Sequence, residues 1–309
     1  MTDRSGPPTS FRDPVPPGRT TLDLDLGLLT VRLVDLPAPW DPFVAWQLAP
    51  FATPAGEGGA DPDLVVACRE GAGPVVPLPG HPGAPTVLEI GRHPAGGAVR
   101  VRSHWLDGRF DRDGGVGELV LTDRRWDLFA ASLENFLRAV VQHEALVRRR
   151  GRAALVHAAA LLDEQGRAVL LAGRSGDGKS TATRLSGRPA LSDDVALVSL
   201  DGPAGTPEAI AVPFYMVGPP DARPRGRFPI ASVVRLRKAD AVSVTPISPA
   251  QVAALLASLI PFAEDLGMSA AERAAFAGEL ARAVEGRELG FGREKRWWGE
   301  WRTKPRHDA

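Results

Sequence analysis

Between Thr20 and Leu36, in TTLDLDLGLLTVRLVDL, apolar and polar residues partly alternate. A strand imposes that period of two, because successive side chains point to opposite faces. Shorter β-prone runs follow inside a Gly- and Pro-dense stretch: DLVVA, TVLEI, AVRVRS and GELVLTD. They predict a small β-rich domain over residues 21–121, with long loops. Residues 1–20 mix Pro, Gly and charge without periodicity and are read as a disordered N-terminus. The period then changes. In WDLFAASLENFLRAVVQHEALVRRR, the residues Phe129, Leu133, Phe136, Leu137, Val140 and Val147 share one face at helical spacing. A connecting helix is expected within 122–150, capped by Thr122 or Asp123 and ending in Arg148–Arg150 at the negative pole of its dipole.

From 151 to 309 the pattern changes again. Two apolar strands flank a DEQGR turn, and the second runs into GRSGDGKST. Further on, Ser248-Pro249-Ala250-Gln251 and Ser269-Ala270-Ala271-Glu272 each carry the signature of a capping box, so two helices are expected there.

Composition adjusts this picture only in places. The chain has 309 residues, 44% of them apolar, and 37 basic against 37 acidic side chains. It therefore has a core to bury and no net field that selects nucleic acid or an anionic membrane. One cysteine, Cys68, excludes an internal disulfide framework and suits a reducing compartment. No apolar run has the length of a membrane span, and the N-terminal stretch lacks the apolar core of a secretion signal. A cytoplasmic location is expected. Only four of the basic residues are lysines (Lys179, Lys238, Lys295, Lys304), so a lysine kept among so many arginines points to a specific use.

Lys179 is the first such use. Gly173, Arg174, Ser175, Gly176, Asp177, Gly178, Lys179 and Ser180 fit G-x-x-x-x-G-K-[ST], and Thr181 follows. Strand, glycine loop and helix in that order let consecutive backbone amides converge on phosphate oxygens at a helix N-terminus. The pattern predicts nucleotide binding, with Lys179 on the β- and γ-phosphates and the Ser180 hydroxyl on Mg2+. Fourteen residues after the lysine comes Asp193-Asp194, in ALSDDVALVSLDG. An Asp-Asp pair can be a turn or a helix cap. Next to a phosphate loop it can instead divide two tasks, one carboxylate near the metal and the other accepting a proton. The guanine-specifying Asn-Lys-x-Asp is absent from the sequence.

VHAAALL, LLAGRSGDGKST and LSDDV together resemble the kinase domain of HPr kinase/phosphorylase and its relatives, most closely over residues 153–200 and loosely to about 262. The resemblance implies an α/β P-loop kinase domain with a phosphoenolpyruvate carboxykinase-like mixed sheet and flanking helices, here preceded by the β-rich domain. It implies ATP and Mg2+ as cofactors, and a serine or threonine hydroxyl of a protein or peptide as acceptor. Homo-oligomers occur among these kinases. By the same resemblance Asp194 is the proton acceptor, Asp193 assists the metal alongside Ser180, and His157 lies near the phosphates. A histidine in a strand is otherwise an ordinary core residue.

The chain also departs from that family. Its helix between loop and acidic pair is shorter, and the E-x-R-G-like metal signature has no match, Glu208 being the nearest carboxylate. Arg223, Arg225 and Arg227 offer a phosphoryl clamp or a solvated loop. The tail KRWWGEWRTKPR sets Trp297, Trp298 and Trp301 among basic residues, either as a stacking surface or as cover for an apolar face. Two other functions stay open: phosphorylation of a small metabolite, and an ATP-binding switch without chemistry.

Overall fold

The computed structural model describes residues 19–37, 48, 51–55, 61–72, 75–76, 88–92, 97–122, 126–174, 176–214, 223–292 and 297–303. The expected disordered stretch, apart from its last two residues, the candidate cap Asp123, the loop residue Ser175, and Lys295 and Lys304 lie outside the described residues, as does the side chain of Phe129. The protein is mixed α/β, with two large mixed sheets and few helices. Its contacts divide it into two compact units, parting at Val147 and Arg148.

The first unit holds strands β1 (Arg19–Asp25), β2 (Thr30–Pro37), β3 (Ala52–Pro54), β4 (Leu64–Glu70), β5 (Leu88–Arg92), β6 (Val99–Ser103), β7 (Leu106–Asp111) and β8 (Val116–Leu121). They form one sheet in the order β3-β1-β2-β4-β8-β7-β6-β5. Alternation sets its faces. On β6, Val99 and Val101 are buried, while Arg100 ion-pairs with Asp107 at 2.7 Å on the other face. Helix α1 (Trp126–His143) covers the apolar side, with Leu133, Phe136, Leu137 and Val140 buried. Gly108 lets Phe136 approach, since a Cβ there would come within 2.5 Å of the Phe136 ring. Val147, expected on the same stripe, is 37% exposed. The helix widens to a π-helical turn over Glu144–Arg148, and the changed residue count per turn rotates Val147 off the apolar face. Cys68 is buried in β4, and burial, followed by the charge of Asp35, pushes its thiol up to about 12.

The second unit is built on β9 (Ala153–Val156), β10 (Ala158–Leu162), β11 (Ala168–Ala172), β12 (Ala190–Ser192), β13 (Ala196–Ser199), β14 (Glu208–Ile210), β15 (Arg227–Lys238), β16 (Ser243–Pro246) and β17 (Glu285–Phe291). The main path of this sheet runs β12-β10-β11-β15-β14-β13-β9, with β17 beside β15 and β16 beside β17. Strand β11 is antiparallel to β10 and parallel to β15, which is parallel to β17. The C-terminal ends of β11, β15 and β17 therefore lie at one edge of the sheet. Strands β9, β10 and β11 are buried at every position, which explains why they read as unbroken apolar runs.

Among the described residues, the α-helices accompanying this sheet are α2 (Lys179–Ser186), α3 (Pro249–Ala257), α4 (Ala270–Ala283) and α5 (Trp298–Thr303). Both capping boxes are formed. Ser248 accepts from the Gln251 amide at 3.3 Å, and Ser269 from the Glu272 amide at 3.2 Å. Trp297, Trp298 and Trp301 are buried in one core with Leu161, Leu171 and Ala182, so they cover an apolar face and do not form a stacking surface. Among the described residues no helix is long and apolar enough to cross a membrane.

Candidate functional site

The site is assembled where β11 ends. After Ala172 the chain curls through Gly173–Gly178 and enters α2 at Lys179. Gly176 and Gly178 have φ of 85° and 96°, a region that side-chain-bearing residues rarely enter. Gly173 is needed for another reason, because a Cβ there would fall 2.9 Å from Asp177 Oδ2. Asp177 uses that closeness to accept from the Arg174 amide at 2.6 Å, while its own amide donates to the Arg174 carbonyl at 3.2 Å. The loop thus holds its shape through its own hydrogen bonds.

Lys179 is buried, and its ammonium is engaged. Nζ donates to the carbonyls of Gly173 (2.9 Å) and Arg174 (3.1 Å) and lies 3.4 Å from Asp194 Oδ1. Two of the ammonium's hydrogens thus go to main-chain carbonyls, and its charge is paired with the Asp194 carboxylate. Behind the lysine, α2 is secured on two sides. Thr183 donates its hydroxyl to the Lys179 carbonyl at 2.9 Å, and Trp297 Nε1 donates to the Ala182 carbonyl at 2.9 Å.

A cavity of about 730 Å³ opens in front of the loop. Gly176 through Thr181 form its floor, with the Ser180 hydroxyl at its surface. Asp194 lines it from the bend between β12 and β13. Lys238 and Phe291, at the tips of β15 and β17, and Arg184 on α2 complete the part of the wall that bears on the chemistry. Phe291 packs onto the loop, its ring tip 3.0 Å from where a Gly178 Cβ would stand.

The expected residues divide accordingly. Lys179, Ser180, Thr181 and Asp194 come together at the cavity. Asp193 does not line it. It is 1% exposed, whereas Asp194 lines the cavity. His157 is half-buried at the turn between β9 and β10 and meets the loop through its main chain, its carbonyl accepting from the Gly173 amide at 3.3 Å. Its side chain does not line the cavity. None of Arg223, Arg225 and Arg227 does so either, and Arg227 lies 3.7 Å from Glu208 on β14.

Among the described residues no three His, Cys, Asp or Glu side chains converge as a metal cage. Ser180 and Asp194 on one cavity wall fit Mg2+ in its usual form, held by one or two protein oxygens while phosphates and water supply the rest. Lys238, Arg184 and Phe291 were not singled out as site residues from the sequence. The scarcity of lysine was a usable signal for the first, since two of the chain's four lysines line this cavity.

Compared with known proteins, the chain matches no family model and no curated protein sequence.

Proposed function

We propose that this cavity binds ATP with Mg2+ and transfers the γ-phosphoryl group to a hydroxyl. The observation that carries the reading is the joining of a phosphate-shaped loop to a carboxylate. Lys179 sits at the loop's closure, and Asp194 faces the same cavity 3.4 Å away. The amides of Gly176–Lys179 and the positive end of α2 suit the β- and γ-phosphates, and Lys179 adds a charge that does not depend on water.

Ser180 is the metal-holding residue in this proposal, with Asp194 within reach of the same cavity. Held there, the metal would supply charge neutralisation for the phosphates. Asp194 takes the proton of the acceptor hydroxyl as the new oxygen–phosphorus bond forms. The bond from the γ-phosphorus to the β,γ-bridging oxygen breaks, and ADP leaves with that electron pair. Positioning and charge account for most of the acceleration in such transfers. The resemblance to HPr kinase-like domains favours a serine or threonine hydroxyl on a protein or peptide as acceptor, and it is the only support for that choice.

The test uses γ-labelled ATP with Mg2+ and a host extract, comparing wild type with Asp194→Asn. Label on a protein or peptide with wild type alone supports the reading. Label only in a small-molecule fraction moves the acceptor to a metabolite. ATP binding without transfer under any condition would leave a nucleotide-dependent switch.

A further inference from the structure

Positive charge at the cavity is unevenly committed. Lys179 is held by Asp194 and two carbonyls. Elsewhere in this unit several arginines are tied to carboxylates. Arg235 and Arg237 both reach Glu288, at 2.5 and 2.9 Å, Arg152 reaches Asp201 and Glu279, and Arg167 reaches Asp163. Two cations at the cavity are not tied in this way. Among the described residues, neither the Arg184 nor the Lys238 side chain has a hydrogen bond, an ion pair or a ring contact, and both line the same cavity.

Their placement follows from the fold. On β15, Arg235 and Arg237 share one face, and the period of two turns Lys238 to the other. Arg235 lies level with Ala172 on β11, so Lys238 extends three residues further, alongside the glycine loop. It is also level with Phe291, which packs on Gly178. Arg184 stands four residues after Ser180 on α2 and so shares its face. In the sheet, β15 and β17 lie on one side of β11, whereas β10 and β12, from which Asp194 follows, lie on the other.

We propose that Arg184 and Lys238 form an outer clamp that grips the phosphate chain of the nucleotide on the β15 side of the loop, leaving the Asp194 side to the incoming hydroxyl. The inference rests on the cavity being an ATP site. A triphosphate remains anionic even with one divalent cation bound, and the loop's one lysine is already shared with a carboxylate. Asp240 lies in the same turn as Lys238 and lowers the net field there, so the clamp works by direct contact more than by long-range attraction.

The experiment is titration calorimetry of Mg·ATP, and separately of inorganic tripolyphosphate, into wild type, Lys179→Ala, Arg184→Ala, Lys238→Ala and Arg237→Ala. Arg237 is the control, a cation next to Lys238 in sequence but paired with Glu288. Losing one charge-assisted contact predicts that the Arg184 and Lys238 variants each bind both probes about 3- to 10-fold more weakly, with a shallower salt dependence, while the Arg237 variant matches wild type. If Lys179→Ala loses binding but both clamp variants behave like Arg237→Ala, the clamp is wrong and the nucleotide reading stands. A loss confined to one of the two residues overturns the pairing. Wild type that binds neither probe overturns both the clamp and the ATP site.

Discussion

Replacing Asp194 by Asn is expected to slow phosphoryl transfer sharply and at the same time tighten ATP binding. In the structure Lys179 Nζ donates to Gly173 O at 2.9 Å and Arg174 O at 3.1 Å and is ion-paired with Asp194 Oδ1 at 3.4 Å. A phosphate oxygen competes with the carboxylate for the same ammonium. The lysine side chain is 4% exposed and that of Asp194 is 36% exposed, so the pair lies between a buried and a surface ion pair. Unit charges at this separation interact by roughly 1–4 kcal/mol from bulk water to a protein surface, and the exposure of Asp194 argues for the lower end. Removing about 1 kcal/mol of competition corresponds to about fivefold tighter binding. Relief of the repulsion between the carboxylate and the γ-phosphate acts in the same direction. Loss of the proton acceptor should slow transfer by roughly 100-fold or more. The assay is a fluorescent-nucleotide titration without acceptor or Mg2+, so that only the competition for Lys179 is read, run beside a γ-label transfer assay with Mg2+. Binding by Asp194→Asn that is equal to or weaker than wild type would refute the competition for Lys179. Transfer at the wild-type rate would refute the base.

Three further outcomes are expected. Gly178→Ala forces a side chain onto a φ of 96° and against the Phe291 ring, so it should cost about 1–3 kcal/mol in denaturant unfolding and abolish ATP binding; a variant that binds normally would show the loop tolerates another shape. Trp297→Phe removes the donor to the Ala182 carbonyl inside the core, predicting a loss of about 1–2 kcal/mol in the same measurement, with unchanged stability as the contrary result. The Ser269 hydroxyl, followed by the Ser269 amide, holds the Glu272 carboxyl below its ordinary value. That stability is present above the unfolded-state value and is lost as pH falls through the folded one. The stability gap between wild type and Ser269→Ala, followed by circular dichroism, should therefore be full at neutral pH and shrink in acid; a gap independent of pH would contradict it.

The parts of the fold and site that were legible in the sequence are those set by neighbours in the chain. A glycine loop between strand and helix, and a serine three residues before Gln251 or Glu272, depend on local backbone geometry and could be read directly. What pairing across the sheet decides was not legible. Lys238 and Phe291 reach the loop because β11, β15 and β17 run parallel, and nothing near residue 173 encodes that. The exposure of Val147 depends on a π-turn that interrupts an otherwise regular spacing. The three tryptophans were ambiguous for a related reason, since only the packed core distinguishes cover from platform.

The bond from Trp297 to Ala182 has a temporal side. It joins residues 115 positions apart, and the tryptophan belongs to the last described segment of the chain. During synthesis the loop, its strand and Lys179 emerge long before the residue that secures α2 from behind. A nascent chain that ends before Trp297 carries the whole phosphate-loop sequence with its helix unbraced. The bracing of α2 by this bond is therefore completed only after Trp297 itself has emerged, 115 residues after Ala182.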